Sequence, residues 1–87
     1  MTDVSFTCAE CYDTDTNYFG YDVRVVPNVP TARACQIICE EETACNFFTW
    51  NTPTYILDPK GCYLKDSDSG SFLVFFMTAG PKVCPPL

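Results

Sequence analysis

Cysteine is the residue type in this chain best suited to chemistry, with seven copies among 87 residues. Cys8-x2-Cys11 with Cys35-x3-Cys39 can be written as a four-thiolate zinc site, and Cys8-x2-Cys11 alone as a redox pair. The zinc site leaves three cysteines unexplained, and the redox pair lacks the parallel βαβ pattern that accompanies thioredoxin-like motifs. We favour a disulfide framework formed in an oxidising compartment, because a core this small needs cross-links.

Acidic residues suggest calcium at first sight. Asp13-x-Asp15-x-Asn17 imitates the start of an EF-hand loop, but the sixth position is Tyr18 where glycine is needed. The twelfth position is Arg24, where a glutamate should close the site. A second acidic pair, 66–68, also lacks the closing glutamate. We therefore predict solvated turns, with no metal and no cofactor.

Catalysis and polyanion binding have little support in the composition. The chain has no histidine, so it has no Ser-His or Cys-His dyad, and we predict no catalytic residues and no enzymatic activity. Its formal charge of −6, with only five Lys and Arg, argues against binding nucleic acid or an anionic membrane surface. The longest apolar run, 72–77, has the length of a strand, so we expect no membrane insertion.

One helix is predicted in the segment that contains Cys35 and Cys39. Thr31 is a suitable N-cap, and Cys35 and Cys39 then lie one turn apart on the same face. The helix should end near Glu40 or Glu41, because glutamates at a C-terminus oppose the helix dipole.

Several strands are also predicted. Cys62 and Leu64 should face one side of a half-buried strand, with Tyr63 and Lys65 on the other. Aromatic and β-branched runs predict further strands at Val23 with Val25, at 47–50, at 72–77 as a central strand with Phe75 and Phe76 in the core, and before Cys84.

These motifs, in this order, resemble the PAN/apple domain, and most closely the apple domains repeated in microneme adhesins of apicomplexan parasites such as Eimeria and Toxoplasma. The resemblance spans Cys11 to Cys84 and rests on Tyr18-x-Gly20-x-Asp22-Val23, Ala34-Cys35-Gln36-x2-Cys39-x5-Cys45-x-Phe47-Phe48-Thr49-Trp50, Cys62-Tyr63-Leu64-Lys65 and Ala79-Gly80-Pro81-Lys82-x-Cys84. It implies an α+β fold in which one α-helix is cradled by a curved antiparallel sheet of about five strands. Residues 1–10 would then be an N-terminal arm or linker, 11–84 the domain and 85–87 a linker remnant.

The resemblance also implies a disulfide pairing of first with last, second with fifth and third with fourth. In this chain the pairs would be Cys11 with Cys84, Cys35 with Cys62, and Cys39 with Cys45. Cys8 departs from the six-cysteine pattern and competes with Cys11 for Cys84. We favour Cys11 because its spacing to Tyr18 and Gly20 matches the family, which leaves Cys8 unpaired or paired outside the domain.

Exposed aromatic and polar side chains are the candidates for ligand binding. Sugars place C–H faces on aromatic rings while polar side chains bind their hydroxyls, so the candidates for a lectin site are Tyr18, Tyr21, Tyr55 and Tyr63 with Asp22, Asn51 or Lys65. Each tyrosine can equally place its ring in the core with the hydroxyl outward. Ile37 beside Glu40–Glu42 is a candidate for docking a basic partner, or a solvated surface.

We therefore expect a non-enzymatic adhesive module of a secreted multi-domain protein, of microneme type if the resemblance holds. Its partner would be another adhesin or a host-cell surface protein, with neighbouring apple repeats in the full chain. A carbohydrate-binding module is the main alternative, and a structural spacer in a tandem array is the second. The N-terminus lacks the basic and apolar regions of a signal peptide, which suggests a domain cut from a longer protein.

Overall fold

The structure, a computed structural model, describes residues 11–18 and 20–84. One helix lies against a five-stranded antiparallel sheet with strand order β1-β5-β3-β4-β2. This confirms the predicted α+β fold. In chain order the elements are β1 (Asp13–Tyr18), β2 (Asp22–Val26), α1 (Ala32–Glu41), β3 (Phe47–Asn51), β4 (Cys62–Lys65) and β5 (Ser71–Pro81).

The helix begins and ends as its local sequence predicts. The hydroxyl of Thr31 accepts a hydrogen bond from the backbone N–H of Ala34 at 3.0 Å, as an N-cap should. The last helical residue is Glu41, and the next residue, Glu42, forms an ion pair with Arg24 at 3.0 Å. Cys35, Gln36 and Cys39 are the buried residues of α1.

The core lies between α1 and the middle strands. Phe48 and Leu64 are paired across β3 and β4, are both fully buried and face the helix. Trp50, the next inward residue of β3, donates its indole N–H to the carbonyl of Val29 at 2.8 Å. Alternation along a strand then sends the intervening residues of β3 and β4 to the opposite face of the sheet.

Three disulfides fasten this core. Cys35–Cys62 ties α1 to β4, and Cys39–Cys45 closes the turn between α1 and β3. Cys11–Cys84 joins the two ends of the described chain. These are the pairs that the resemblance implies. Cys8, like the predicted terminal segments 1–10 and 85–87, lies outside the described residues.

The strands at one edge of the sheet differ from the sequence expectation. Residues 13–18 form strand β1 rather than the predicted turn, and 71–81 form one strand rather than two. β1 is an edge strand that pairs only with β5, so a polar sequence suffices. The pairing between β1 and β5 shifts register, from Thr14 opposite Thr78 to Thr16 opposite Leu73. Part of β5 therefore bulges out of the ladder between these two pairs.

The bulge exposes side chains that were expected in the core. Phe76 has a positive φ of 69°, and its backbone N–H donates to the Asp15 carboxylate at 3.0 Å. Leu73, Phe75 and Phe76 are 67%, 62% and 53% exposed, so the prediction that Phe75 and Phe76 are core residues is wrong. Apolar composition predicted a buried strand, but the irregular pairing with β1 turns these side chains outward.

Candidate functional site

A cleft of about 210 Å³ lies on the face of the sheet opposite the helix. Cys62 is bonded to the helix, so its neighbours Tyr63 and Lys65 must project from the other side of β4. Strand pairing places Thr49 opposite Tyr63 and Asn51 opposite Met77 on that same face. The cleft is lined by Asn17, Gly20, Asp22, Thr49, Asn51, Tyr63, Lys65 and Met77.

A buried lysine forms one wall of this cleft. The side chain of Lys65 is only 4% exposed, and its ammonium lies 2.5 Å from an Asp22 carboxylate oxygen. It also donates to the carbonyl of Gly20 at 3.0 Å. Gly20 has a φ of +80°, a conformation that favours glycine and that delivers this carbonyl to the ammonium. Lys65 is thereby held in place with its charge compensated.

A second acidic residue, Asp58, holds two of the side chains that line the cleft. Its carboxylate accepts a hydrogen bond from the hydroxyl of Tyr63, and this bond, followed by burial, raises the pKa of Tyr63 to about 12. The backbone carbonyl of Asp58 accepts from the side-chain amide of Asn51 at 2.8 Å. One residue of the 52–60 loop therefore fixes two side chains of the cleft.

Two polar atoms in the cleft have no partner. Among the described residues, the hydroxyl of Thr49 and the side-chain oxygen of Asn51 are buried without any hydrogen bond. Both residues are only 1% exposed. Most buried polar groups in proteins are hydrogen-bonded, so two unpartnered oxygens two residues apart on one strand are unusual.

The structure brings together only half of the predicted ligand-binding residues. Asp22, Tyr63 and Lys65 line the cleft, whereas Tyr18, Tyr21 and Ile37 do not. Tyr18 is buried, with its ring edge-on to Phe47 at 5.6 Å. Burial, followed by the charges of Asp13 and Asp68, raises the pKa of Tyr18 to about 12. Tyr21 and Ile37 are exposed and do not line the cleft.

Asn51, a predicted hydrogen-bonding candidate, also lines the cleft, whereas Thr49 was missed. Both alternate with Phe48 and Trp50 along β3, so their shared face could be predicted from the sequence. No local sequence pattern marked the remaining lining residues, Asn17, Gly20 and Met77. They belong to three separate segments, namely β1, the turn before β2, and β5. Tyr55 does not line the cleft.

Two glutamates of the predicted docking surface form ion pairs within the module. Glu40 pairs with Arg33 at 3.0 Å and Glu42 with Arg24, which reduces the free negative charge next to Ile37. Within the described ranges, no three acidic or cysteine side chains converge to hold a metal ion. Over those same residues, no helix combines the length and apolar character needed to cross a bilayer.

Comparison with known proteins gives the fold and the family. Eleven chains of solved structures match, among them a PAN module from Eimeria tenella solved in solution, at a TM-score of 0.60 and 23% identity. That match covers 99% of this chain and 91% of the module. No curated protein matches. A family model described as the PAN domain matches residues 16–65, more than half of the chain. The chain therefore belongs to the PAN domain family, whose members are in general non-catalytic modules that bind proteins or carbohydrates.

Proposed function

We propose that this chain is an adhesive module of a secreted, microneme-type protein and that the cleft binds a glycan on the host-cell surface. The observation that carries the proposal is the lining of the cleft, in which the Lys65 ammonium, held by Asp22 and by the carbonyl of Gly20, lies beside the side chains of Tyr63 and Met77. Sugars combine apolar C–H faces with hydroxyl groups, and a lining that is partly apolar and partly polar can contact both.

The size and lining of the cleft suit a single sugar ring. Pockets for drug-sized ligands occupy about 300–1,000 Å³, and this cleft is smaller, at about 210 Å³. Met77 and the ring of Tyr63 offer apolar surface for C–H groups, while Lys65 and Asp22 offer polar atoms. A site of this size binds weakly, so adhesion would depend on several modules acting together through their effective concentration.

A glycan array tests this function, with the oxidised module presented as a tetramer to compensate for weak binding. We expect saturable binding to at least one glycan and its loss in Asn51→Ala. Asn46→Ala is the matched control, because Asn46 is exposed and lies outside the cleft. If the tetramer binds no glycan, or if Asn51→Ala binds as well as the wild type, the glycan proposal is wrong.

A protein partner, either another adhesin or a host-cell receptor, is the second candidate. The exposed apolar side chains of Leu73, Phe75 and Phe76 favour it, because exposed apolar patches often mark protein contacts. Cell binding before and after enzymatic removal of surface glycans separates the two functions. Binding that survives deglycosylation and is lost in Phe75→Ser would favour the protein, and binding lost in Asn51→Ala would favour the glycan.

A spacer between neighbouring repeats is the remaining alternative. It predicts that deleting this module from its parent protein leaves cell binding intact, whereas both binding functions predict a loss.

A further inference from the structure

Three large apolar side chains are exposed where β5 bulges. Leu73, Phe75 and Phe76 are each more than half exposed and lie within four consecutive positions of the chain. None of them is among the residues that line the cleft. Single exposed apolar residues are common on monomers, whereas a group of them at one place is typical of a contact surface. This group is therefore suited to contact with another molecule.

Hydrogen bonds on both sides of Phe76 hold the bulge in place. The backbone N–H of Phe76 donates to the Asp15 carboxylate at 3.0 Å, and its carbonyl accepts from the backbone N–H of Thr52 at 2.9 Å. Its φ of 69° is unfavourable for a residue with a side chain, and these bonds compensate for that cost. A bulge fixed in this way presents its side chains in one arrangement, which lowers the entropy lost on binding.

Acidic side chains lie next to this apolar group and have no basic partner. Asp15 adjoins the bulge through its hydrogen bond to the backbone. The charges of Asp13 and Asp68 both act on the hydroxyl of Tyr18, so these two carboxylates lie close together at the same strand pair. Among the described residues, none of the three aspartates forms an ion pair. β1, β5 and the turn that precedes β5 contain no Lys or Arg.

The basic residues of the chain bind groups on other elements. Arg24 and Arg33 form ion pairs with glutamates, and Lys65 forms one with Asp22. Lys82 donates to a backbone carbonyl at the end of the helix. Four of the five Lys and Arg residues are thus engaged away from the three aspartates. The negative charge beside the apolar group is left for a partner to neutralise.

This charge distinguishes between the molecules that could cover the surface. A second copy of the chain would bring the same aspartates against it, and like charges repel. Residues 1–10 include Asp3 and Glu10 but no Lys or Arg, so they would be repelled as well. An anionic membrane surface is disfavoured for the same reason. A protein segment with Lys or Arg beside apolar side chains complements both features of the surface.

We propose that such a segment of a partner protein, carrying both basic and large apolar side chains, binds the β1–β5 surface, defined as Asp13, Asp15, Asp68, Leu73, Phe75 and Phe76. The inference rests on the second function proposed above, the binding of a protein, and specifies the chemistry of that partner. Burial of the two aromatic rings supplies most of the affinity. Attraction between the aspartates and the partner's Lys or Arg speeds association and selects the partner.

Three synthetic peptides of equal length test the chemistry of the partner. One combines Lys with Leu, the second Glu with Leu and the third Lys with Ser, and each is titrated into the oxidised, isotope-labelled chain while amide chemical shifts are followed. We expect the Lys–Leu peptide to bind, with shifts in 13–18 and 73–77, and the other two to bind more weakly by about tenfold. If either of these binds as tightly as the Lys–Leu peptide, or if none binds, the inference is wrong. The protein-binding function is judged separately, by cell binding of Phe75→Ser.

Matched variants test the surface itself. Phe75→Ser should weaken binding of the Lys–Leu peptide about tenfold, as for an anchor residue. Leu57→Ser, at an exposed apolar position in the 52–60 loop, should not. Asp68→Asn should weaken binding about threefold, as for the loss of an exposed ion pair. Glu41→Gln, on the helix, should leave it unchanged. Equal affinity of Phe75→Ser and the wild type would overturn the proposal.

Two further measurements identify the other occupants. Sedimentation that shows dimers of the wild type but not of Phe75→Ser would assign the surface to a second copy. Changed amide shifts at 73–76 in Phe6→Ser would assign it to residues 1–10. Either result would overturn the proposal, which predicts a monomer and unchanged shifts.

Discussion

At the scale of single residues, the cleft combines groups that are fully satisfied with groups that are not. Lys65 and Tyr63 have strong partners in Asp22 and Asp58, whereas Thr49 and Asn51 each retain an unbonded buried atom. The satisfied groups give the cleft a fixed shape. The unsatisfied groups lower the stability of the protein.

The substitution Thr49→Val tests whether the unbonded hydroxyl of Thr49 lowers the stability of the protein. Valine has nearly the shape of threonine but no hydroxyl, so the substitution removes a buried unbonded oxygen and should raise the free energy of unfolding by about 1 kcal/mol. Glycan binding should weaken in the same variant. Urea denaturation checks the first effect, with Thr16→Val, in β1 and outside the cleft, as the control. A lower stability for Thr49→Val would contradict the assignment of its hydroxyl as unbonded.

Asp58→Asn tests the contact that organises the cleft wall. Removing the carboxylate should lower the pKa of Tyr63 from about 12 towards its ordinary value of 10, while Tyr18 stays at about 12. Because folding raises this pKa, its contribution to stability is complete below pH 10 and is lost as the pH rises through 12. The variant should lose less stability over that range. Tyrosinate absorbance during alkaline titration reports both values, and an unshifted Tyr63 would contradict the contact.

At the scale of elements, β3 connects the core to the cleft. Its alternate residues Phe48 and Trp50 pack beneath α1, while Thr49 and Asn51 face the cleft, so any shift of β3 would alter both. The helix holds β3 through packing and a disulfide-closed turn. It is short, with 10 residues and no acidic residue in its first turn, and it therefore depends on its N-cap.

Thr31→Ala should consequently destabilise the module by about 1 kcal/mol. Thr31→Asp should restore most of the loss, because aspartate caps helices well and its charge favours the N-terminal dipole. Thermal or urea unfolding of the three proteins checks the order. Equal stability of the alanine and threonine forms would show that the helix is held by its disulfides alone.

Helix capping and strand alternation, which act over a few neighbouring residues, account for the features of the fold that could be predicted from the sequence. The limits of α1 follow from Thr31 and the glutamates, and the two faces of β4 follow from alternation within 62–65. β1 was missed because its strand character depends on pairing with β5, some sixty residues away, and a polar edge strand carries no periodic signal. The cleft likewise forms only where β3 pairs with β4 and β5. The sequence therefore indicated Asp22, Asn51, Tyr63 and Lys65 as candidates but not that they line one cleft.

At the scale of the whole molecule, a small core is supplemented by three cross-links that close loops of very different length. The sequence separations are 73, 27 and 6 residues. The longest loop is closed at Cys11–Cys84, where the buried amide of Gln36 also donates to the carbonyl of Pro81 at 3.1 Å. The helix, the last strand and the two ends of the described part of the chain therefore meet at one place.

Replacing Cys11 and Cys84 by alanine should destabilise the module more than replacing Cys39 and Cys45. Loop entropy gives about 4.4 kcal/mol for the first pair and about 2.2 kcal/mol for the second. Urea denaturation of the two double variants under oxidising conditions measures the difference. The reverse order would show that the turn after α1, rather than the joined ends, dominates the stability.

The bond between the chain ends also determines how the module responds to pulling. In any longer chain that contains it, tension enters and leaves across Cys11–Cys84, whose Cα atoms are 5.6 Å apart. The load then passes through a covalent bridge and bypasses the sheet, the helix and the cleft. An oxidised module would therefore neither lengthen appreciably nor unfold under tension, and its cleft would keep its shape under load.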